Sequence, residues 1–149
     1  MKLIDMWSLT QALIFVSSAL LITVVWVKVS GIYKYRGKNY YVFGLNLFPL
    51  VSWTLGLVLM RILYDAIDHP YKFIIICFCY WLILPSLEYV GYHCFGMRLT
   101  CDYPGLWKSD LMHAPAYSKA YYLLIGPAYL LMTNGLIIEL VKMGLLTGA

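Results

Sequence analysis

An all-α fold, a bundle of four helices crossing a membrane, is what this sequence predicts, and three observations predict it. Only 12% of residues are charged, where a soluble domain carries about a quarter, and 62% are hydrophobic with a mean hydropathy of +0.76. Four apolar runs stand between polar stretches, each long enough to cross about 30 Å of hydrocarbon at about 1.5 Å per residue. Inside lipid a backbone has only its own helix or a closed barrel to bond with, and runs of this length suit the helix. The 149 residues leave room for one transmembrane domain, 1–149, and for no separate soluble one.

The first span runs from about Trp7 to Val29, with Lys2 and Asp5 before it and Trp26 and Lys28 closing it. No small-x-small cleavage site ends the run, which favours an uncleaved anchor over a signal peptide. A basic loop follows, holding Lys34, Arg36 and Lys38 and no acid. The second span is expected from about Tyr40 to Leu63, with Asn46, Pro49, Trp53, Gly56 and Met60 on one helical face suited to packing. After a mixed connector turning at His69-Pro70, the third span runs from about Phe73 to His93. Pro85 is expected to kink it by freeing the carbonyl of Trp81. The stretch Cys94 to Tyr117 is a loop too polar to cross and longer than a connection needs to be. Within it Leu106, Trp107, Asp110 and Leu111 are expected to form a short interfacial turn. The last span, about Ser118 to Leu140, carries Thr133 and Asn134 and is expected to break at Gly126-Pro127.

Four spans put both termini on one side. That side holds Lys2, Arg61, Lys72 and Lys142, and the other holds Lys28, Lys34, Arg36, Lys38, Arg98, Lys108 and Lys119. The positive-inside bias then places both termini outside the cytoplasm. The net charge of +4 reads as orientation and contact with anionic membrane lipids; no basic stretch interleaved with stacking aromatics points to nucleic acid. The spacings Ser52-x-x-x-Gly56 and Gly144-x-x-x-Gly148 allow close helix approach, and with it self-association or docking to other membrane subunits.

The centre of interest is Pro85 to Asp102, PSLEYVGYHCFGMRLTCD. An ionised carboxylate in lipid is costly, so Glu88 pairs, faces a wet cavity or takes up a proton. With Cys77, Trp81 and Tyr92 it shares a helical stripe, and an acid beside aromatic rings suits proton donation to an olefin, the rings steadying a developing cation. The alternative is a structural acid bonded to Asn46, Thr133, Asn134 or Arg61. His93, Cys94, Cys101, Asp102 and His113 are metal-capable types, but no C-x-x-C or H-E-x-x-H spacing is present, so the sequence assigns neither a metal nor any cofactor. Arg61 suits a phosphate headgroup if it is not simply an interfacial anchor.

The order Glu88, Gly91, Phe95, Gly96, Tyr103 resembles an E-x-x-G…F-G…Y pattern of the membrane-embedded carotenoid hydratases and cyclases, over fewer than twenty residues. It implies an acid working on an isoprenoid. The companion acids of those enzymes have no counterpart on the other helices, and membership does not follow. The functional expectation is a membrane-embedded enzyme acting on a lipophilic substrate, an isoprenoid or lipid. Glu88 is its acid or base, with His93 and Asp102 at the mouth of the site, Trp81 and Tyr92 lining it, and Asn46, Trp53, Asn134 and Arg61 as further substrate contacts. The alternative is a non-catalytic subunit of a larger membrane complex.

Overall fold

Ser8 opens the first helix: its hydroxyl accepts from the Gln11 N–H at 3.2 Å while the Gln11 side chain accepts from the Ser8 N–H at 2.9 Å. This capping box satisfies two of the donors that every helix start leaves open. In the computed structural model, which describes residues 8–36, 39–100, 103–106 and 111–146, α1 spans Leu9–Ser30 and stops at Gly31, whose φ of 60° is the left-handed cap that glycine takes without strain.

Residues Tyr40 to Asn46, expected at the start of the second span, instead form a hairpin of β1 (Tyr41–Val42) and β2 (Leu45–Asn46). Phe43 and Gly44 turn it, with φ of 50° and 77°, the two positive values a tight hairpin turn asks for. Helix α2 is therefore Leu47–Ala66. Asn46 lies just before it as the N-cap, its side-chain oxygen accepting from the Phe48 N–H at 3.1 Å. Pro49 falls in the first turn, where a missing N–H breaks no helical bond.

Helices α3 (Lys72–Cys94) and α4 (Ala116–Lys142) each continue through an internal proline, Pro85 and Pro127. Pro127 has no N–H for the carbonyl of Leu123, four residues back. The Trp81 indole of α3 donates to that carbonyl at 2.8 Å, and the neighbouring Tyr80 phenol donates to the carbonyl of Tyr122. An α4 defect thus becomes an α3–α4 joint. Beside it, a Cβ on Gly126 would sit 2.9 Å from both Met60 Sδ and the Tyr80 ring, whereas one on Gly56 would meet nothing within 4 Å. Close approach is made at Gly126, and the Ser52/Gly56 face borders a void.

The core has two tiers. One holds Ala19, Leu57, Met60, Ile76, Cys77, Tyr129 and Leu130. At its edge the buried Arg61 forks onto Asp65 at 2.8 and 2.9 Å, and Nη1 donates to Thr133 and Asn134 of α4. The guanidinium also lies 4.1 Å from the centre of the Phe15 ring of α1, so one cation ties three helices together. The other tier holds Trp26, Val27, Ile32, Tyr33, Leu99, Met112, Ala114 and Tyr122. Trp26, which closes the first apolar run, is turned inward and stacks on Tyr121 at 3.6 Å.

Loops complete this second tier. Tyr35 bridges to Leu99, the Arg36 N–H donates to the Arg98 carbonyl at 2.8 Å, and the Thr100 N–H donates to the Lys34 carbonyl at 2.7 Å. The stretch after α3 therefore lies along the basic loop. Trp107 and Asp110 of the expected interfacial turn lie outside the described residues; Leu106 and Leu111 are joined by a backbone bond of 2.8 Å.

Outward, the chain is apolar. All four helices are long and apolar enough to cross a membrane, and in α3 only 11% of the most apolar stretch is buried inside the fold. A water-facing bundle would put its polar residues there.

A candidate lipophilic cavity with an acidic end

Between α2 and α3 lies a cavity of about 270 Å³, near the lower end of the roughly 300–1,000 Å³ that small-molecule sites occupy. Small residues create it: Ser52 and Gly56 on α2 face Gly91 on α3 with no side chain to close the gap. Along its length the wall is aliphatic, including Leu57, Leu84 and Leu87. Phe48, Leu59, Ile83 and Leu87 border it and are exposed on the outer face, so it opens sideways along the α2–α3 seam.

One end is polar. Glu88, half-buried in α3, lines it with Tyr33, Tyr35, Tyr92 and Tyr122. The Tyr92 phenol and the Met112 backbone N–H lie beside the carboxyl, with His113 and Lys119 nearby. Glu88 and Tyr92 meet because an i,i+4 spacing stacks them on one helical face. Met112, whose backbone lies beside Glu88, is 1% exposed with φ of 52°, a left-handed conformation rare outside glycine. Holding a methionine there costs about 1 kcal/mol or more, and burying its side chain against the aromatic tier offsets that.

A hydrogen-bonded relay reaches the cavity wall from α1. The Trp26 indole donates to the Tyr33 hydroxyl at 2.7 Å, and that hydroxyl donates to Tyr122 at 3.1 Å. Trp53 stacks on Tyr122 at 5.2 Å. Burial pushes the Tyr33 phenol up to about 12, so it stays a protonated donor over the ordinary pH range. Tyr35 is pushed up further by the same cause. The Tyr92 hydroxyl is buried and makes no hydrogen bond among the described residues.

Of the residues singled out in the sequence, the fold brings Glu88, Tyr92 and Trp53 together at the cavity. Ser52, Gly56 and Met60 of the expected packing face also line it, and among the described residues the other expected site residues do not. The Trp81 indole is engaged by the Leu123 carbonyl, and Asn46 caps α2 and donates to the Tyr33 carbonyl at 3.0 Å. Arg61 and Asn134 belong to the ion-pair cluster, where Asn134 also donates to Tyr64 at 3.2 Å. His93 is exposed and packs on Tyr89 at 4.4 Å. Asp102 lies outside the described residues. Of the metal-capable types, no group of three converges among the described residues.

Sequence reasoning missed Tyr33, Tyr35 and Tyr122. They come from a loop and another helix, and their local signal is weak: polar-tipped rings inside or beside apolar runs. Comparison of the chain with protein-family models, with curated proteins and with solved structures finds no match.

Proposed function

We propose that the chain is a multi-pass membrane protein that holds a lipophilic substrate, an isoprenoid or another lipid, in the α2–α3 cavity, and that Glu88 exchanges a proton with it. The observation that carries the reading is the pairing of an aliphatic cavity, open to the side, with a carboxyl and a ring of phenols at one end. A chain-like substrate would lie along the aliphatic wall from the bilayer. Its reactive end would meet Glu88, with Tyr92 beside the acid and the aromatic faces of Trp53 and Tyr122 available to a developing cation. Bends at Pro85 and Pro127, both termini outside the cytoplasm and a cytoplasmic loop over the acidic end belong to the same reading. Cysteine labelling from either side of the membrane tests that orientation.

The test is gentle purification and mass spectrometry of what accompanies the protein, wild type against Glu88→Gln. A wild type carrying converted lipid and a variant carrying its unconverted precursor support the proposal. Identical bound species in both, with both folded, remove Glu88 from any reaction. The second reading, a non-catalytic transmembrane subunit, draws on the outer face of α3, the least covered of the helices. A stoichiometric partner protein with no bound lipid would favour it.

A further inference from the structure

The polar end of the cavity offers more hydrogen-bond donors than the fold uses. Trp26, Tyr33 and Tyr122 contribute one N–H and two O–H groups, and the chain between them makes two hydrogen bonds. Whichever way the phenols turn, a donor hydrogen is left over, and with Tyr33 donating to Tyr122 it is the Tyr122 O–H. Tyr92 adds a second: its ring is 6% exposed, it lines the same cavity, and its hydroxyl is buried beside the Glu88 carboxyl without a formed hydrogen bond to it or to any other described residue. Buried hydroxyls are nearly always bonded, so an orphan on a cavity wall points to an acceptor that arrives with a ligand.

Of the positive groups, the Arg98 guanidinium lies over the Tyr92 ring, 5.7 Å from its centre, and others are held by their neighbours. The Arg61 guanidinium is held by Asp65, Thr133 and Asn134, and Lys119 Nζ donates to the Pro104 carbonyl at 2.6 Å. A phosphate at this end would meet phenols and the Glu88 acid, and the guanidinium at this end, Arg98, is engaged over the Tyr92 ring. An ammonium head would compete for the Glu88 carboxyl, which already has the Tyr92 phenol and the Met112 N–H beside it, and would leave the phenol O–H groups unmet.

We propose that the cavity selects neutral amphiphiles whose head is a hydrogen-bond acceptor, a ketone or aldehyde oxygen on a long apolar chain, bound by the hydroxyls of Tyr122 and Tyr92. This rests on reading the cavity as a site for a lipophilic substrate, and it names the substrate's head. The carbonyl oxygen accepts from the phenols while the chain lies along Leu57, Leu84 and Leu87.

The experiment uses the full chain in lipid nanodiscs and four probes of equal chain length: a methyl ketone, an alkane, an alkyl phosphate and an alkylamine. Retention of each is measured by co-elution and mass spectrometry. The ketone is expected to be retained roughly tenfold more tightly than the alkane, one to two net hydrogen bonds' worth. Tyr122→Phe and Tyr92→Phe should each lower ketone retention roughly threefold and leave the alkane unchanged. Gly56→Leu, whose side chain grows into open space, should abolish retention of both. Equal retention of ketone and alkane overturns the inference and leaves the cavity reading standing, as does preference for the phosphate or the amine. No retention of any probe, with wild type equal to Gly56→Leu, overturns both. All of the ketone-against-alkane comparison is made on the wild type, so a misfolded variant cannot mask the outcome.

Discussion

Gly126→Ala tests the joint on which three helices meet. The added methyl would lie 2.9 Å from Met60 Sδ on α2 and from the Tyr80 ring on α3, where carbon contacts favour about 3.5–4.0 Å. Met60 is flexible and can retreat. Tyr80 cannot easily do so, because its hydroxyl is tied to the Tyr122 carbonyl one turn before the glycine. Forcing a methyl into such a place costs about 1–3 kcal/mol, against which alanine regains about 1 kcal/mol of helix propensity over glycine. The expected net is a loss of about 1 kcal/mol, or about 2–4 °C in Tm for a chain of this size. Gly126→Val, with two more methyls, should lose several times that. Thermal unfolding in detergent, followed by helical circular dichroism, reads both. Gly56→Ala is the internal comparison and should hold or raise Tm, since its Cβ meets nothing within 4 Å. A Gly126→Ala protein that is more stable than wild type, by the same margin as Gly56→Ala, would refute the close approach and the α2–α3–α4 packing built on it.

Trp81→Phe keeps the ring and removes the N–H from the Leu123 carbonyl; with that group left bare the loss should be about 1–3 kcal/mol, seen as a lower Tm and faster amide exchange in the middle of α4. Arg61→Met strands Asp65, Thr133 and Asn134 at a cation site where the Arg61 side chain is 8% exposed, so it should cost about 3–5 kcal/mol. Arg61→Met with Asp65→Leu should recover much of it, and denaturation midpoints compare the three. For Tyr33, whose phenol is pushed from 10.0 to about 12 by burial, the unfolded chain loses its proton first. Its contribution to stability is therefore whole below pH 10 and drains away as pH rises toward 12. Tyr33→Phe should flatten the fall of Tm across that window without changing Tm's slope at neutral pH.

Four helices were legible because hydropathy alone carries their signal, and Glu88 with Tyr92 was legible because an i,i+4 pair is a property of one helix. The start of α2 was not. Tyr40 to Leu47 is apolar enough to extend a span, and Phe43 and Gly44 at positive φ and the capping oxygen of Asn46 mark it as a turn followed by a helix start. Glycine spacing misled for a related reason: Ser52-x-x-x-Gly56 says a helix can come close, and only the neighbouring helix decides whether it does. Here it does not, and the gap is the cavity, while the contact falls on Gly126, whose place beside Pro127 reads as a break. The aromatic tier has the same character. Nothing local distinguishes Trp26 facing Tyr33 and Tyr121 from Trp26 facing headgroups.

The sideways mouth between α2 and α3 has a consequence for selectivity. A guest arriving from water gains by leaving it, but one arriving from a bilayer exchanges one oily surrounding for another, and its tail contributes almost nothing to the choice. On the proposed reading, discrimination among the many molecules dissolved in a membrane would fall to a few atoms at the far wall, each worth a factor of a few, multiplied by a local abundance far above any aqueous concentration. Such a pocket can be weak by ordinary measures and still be filled by the right molecule most of the time.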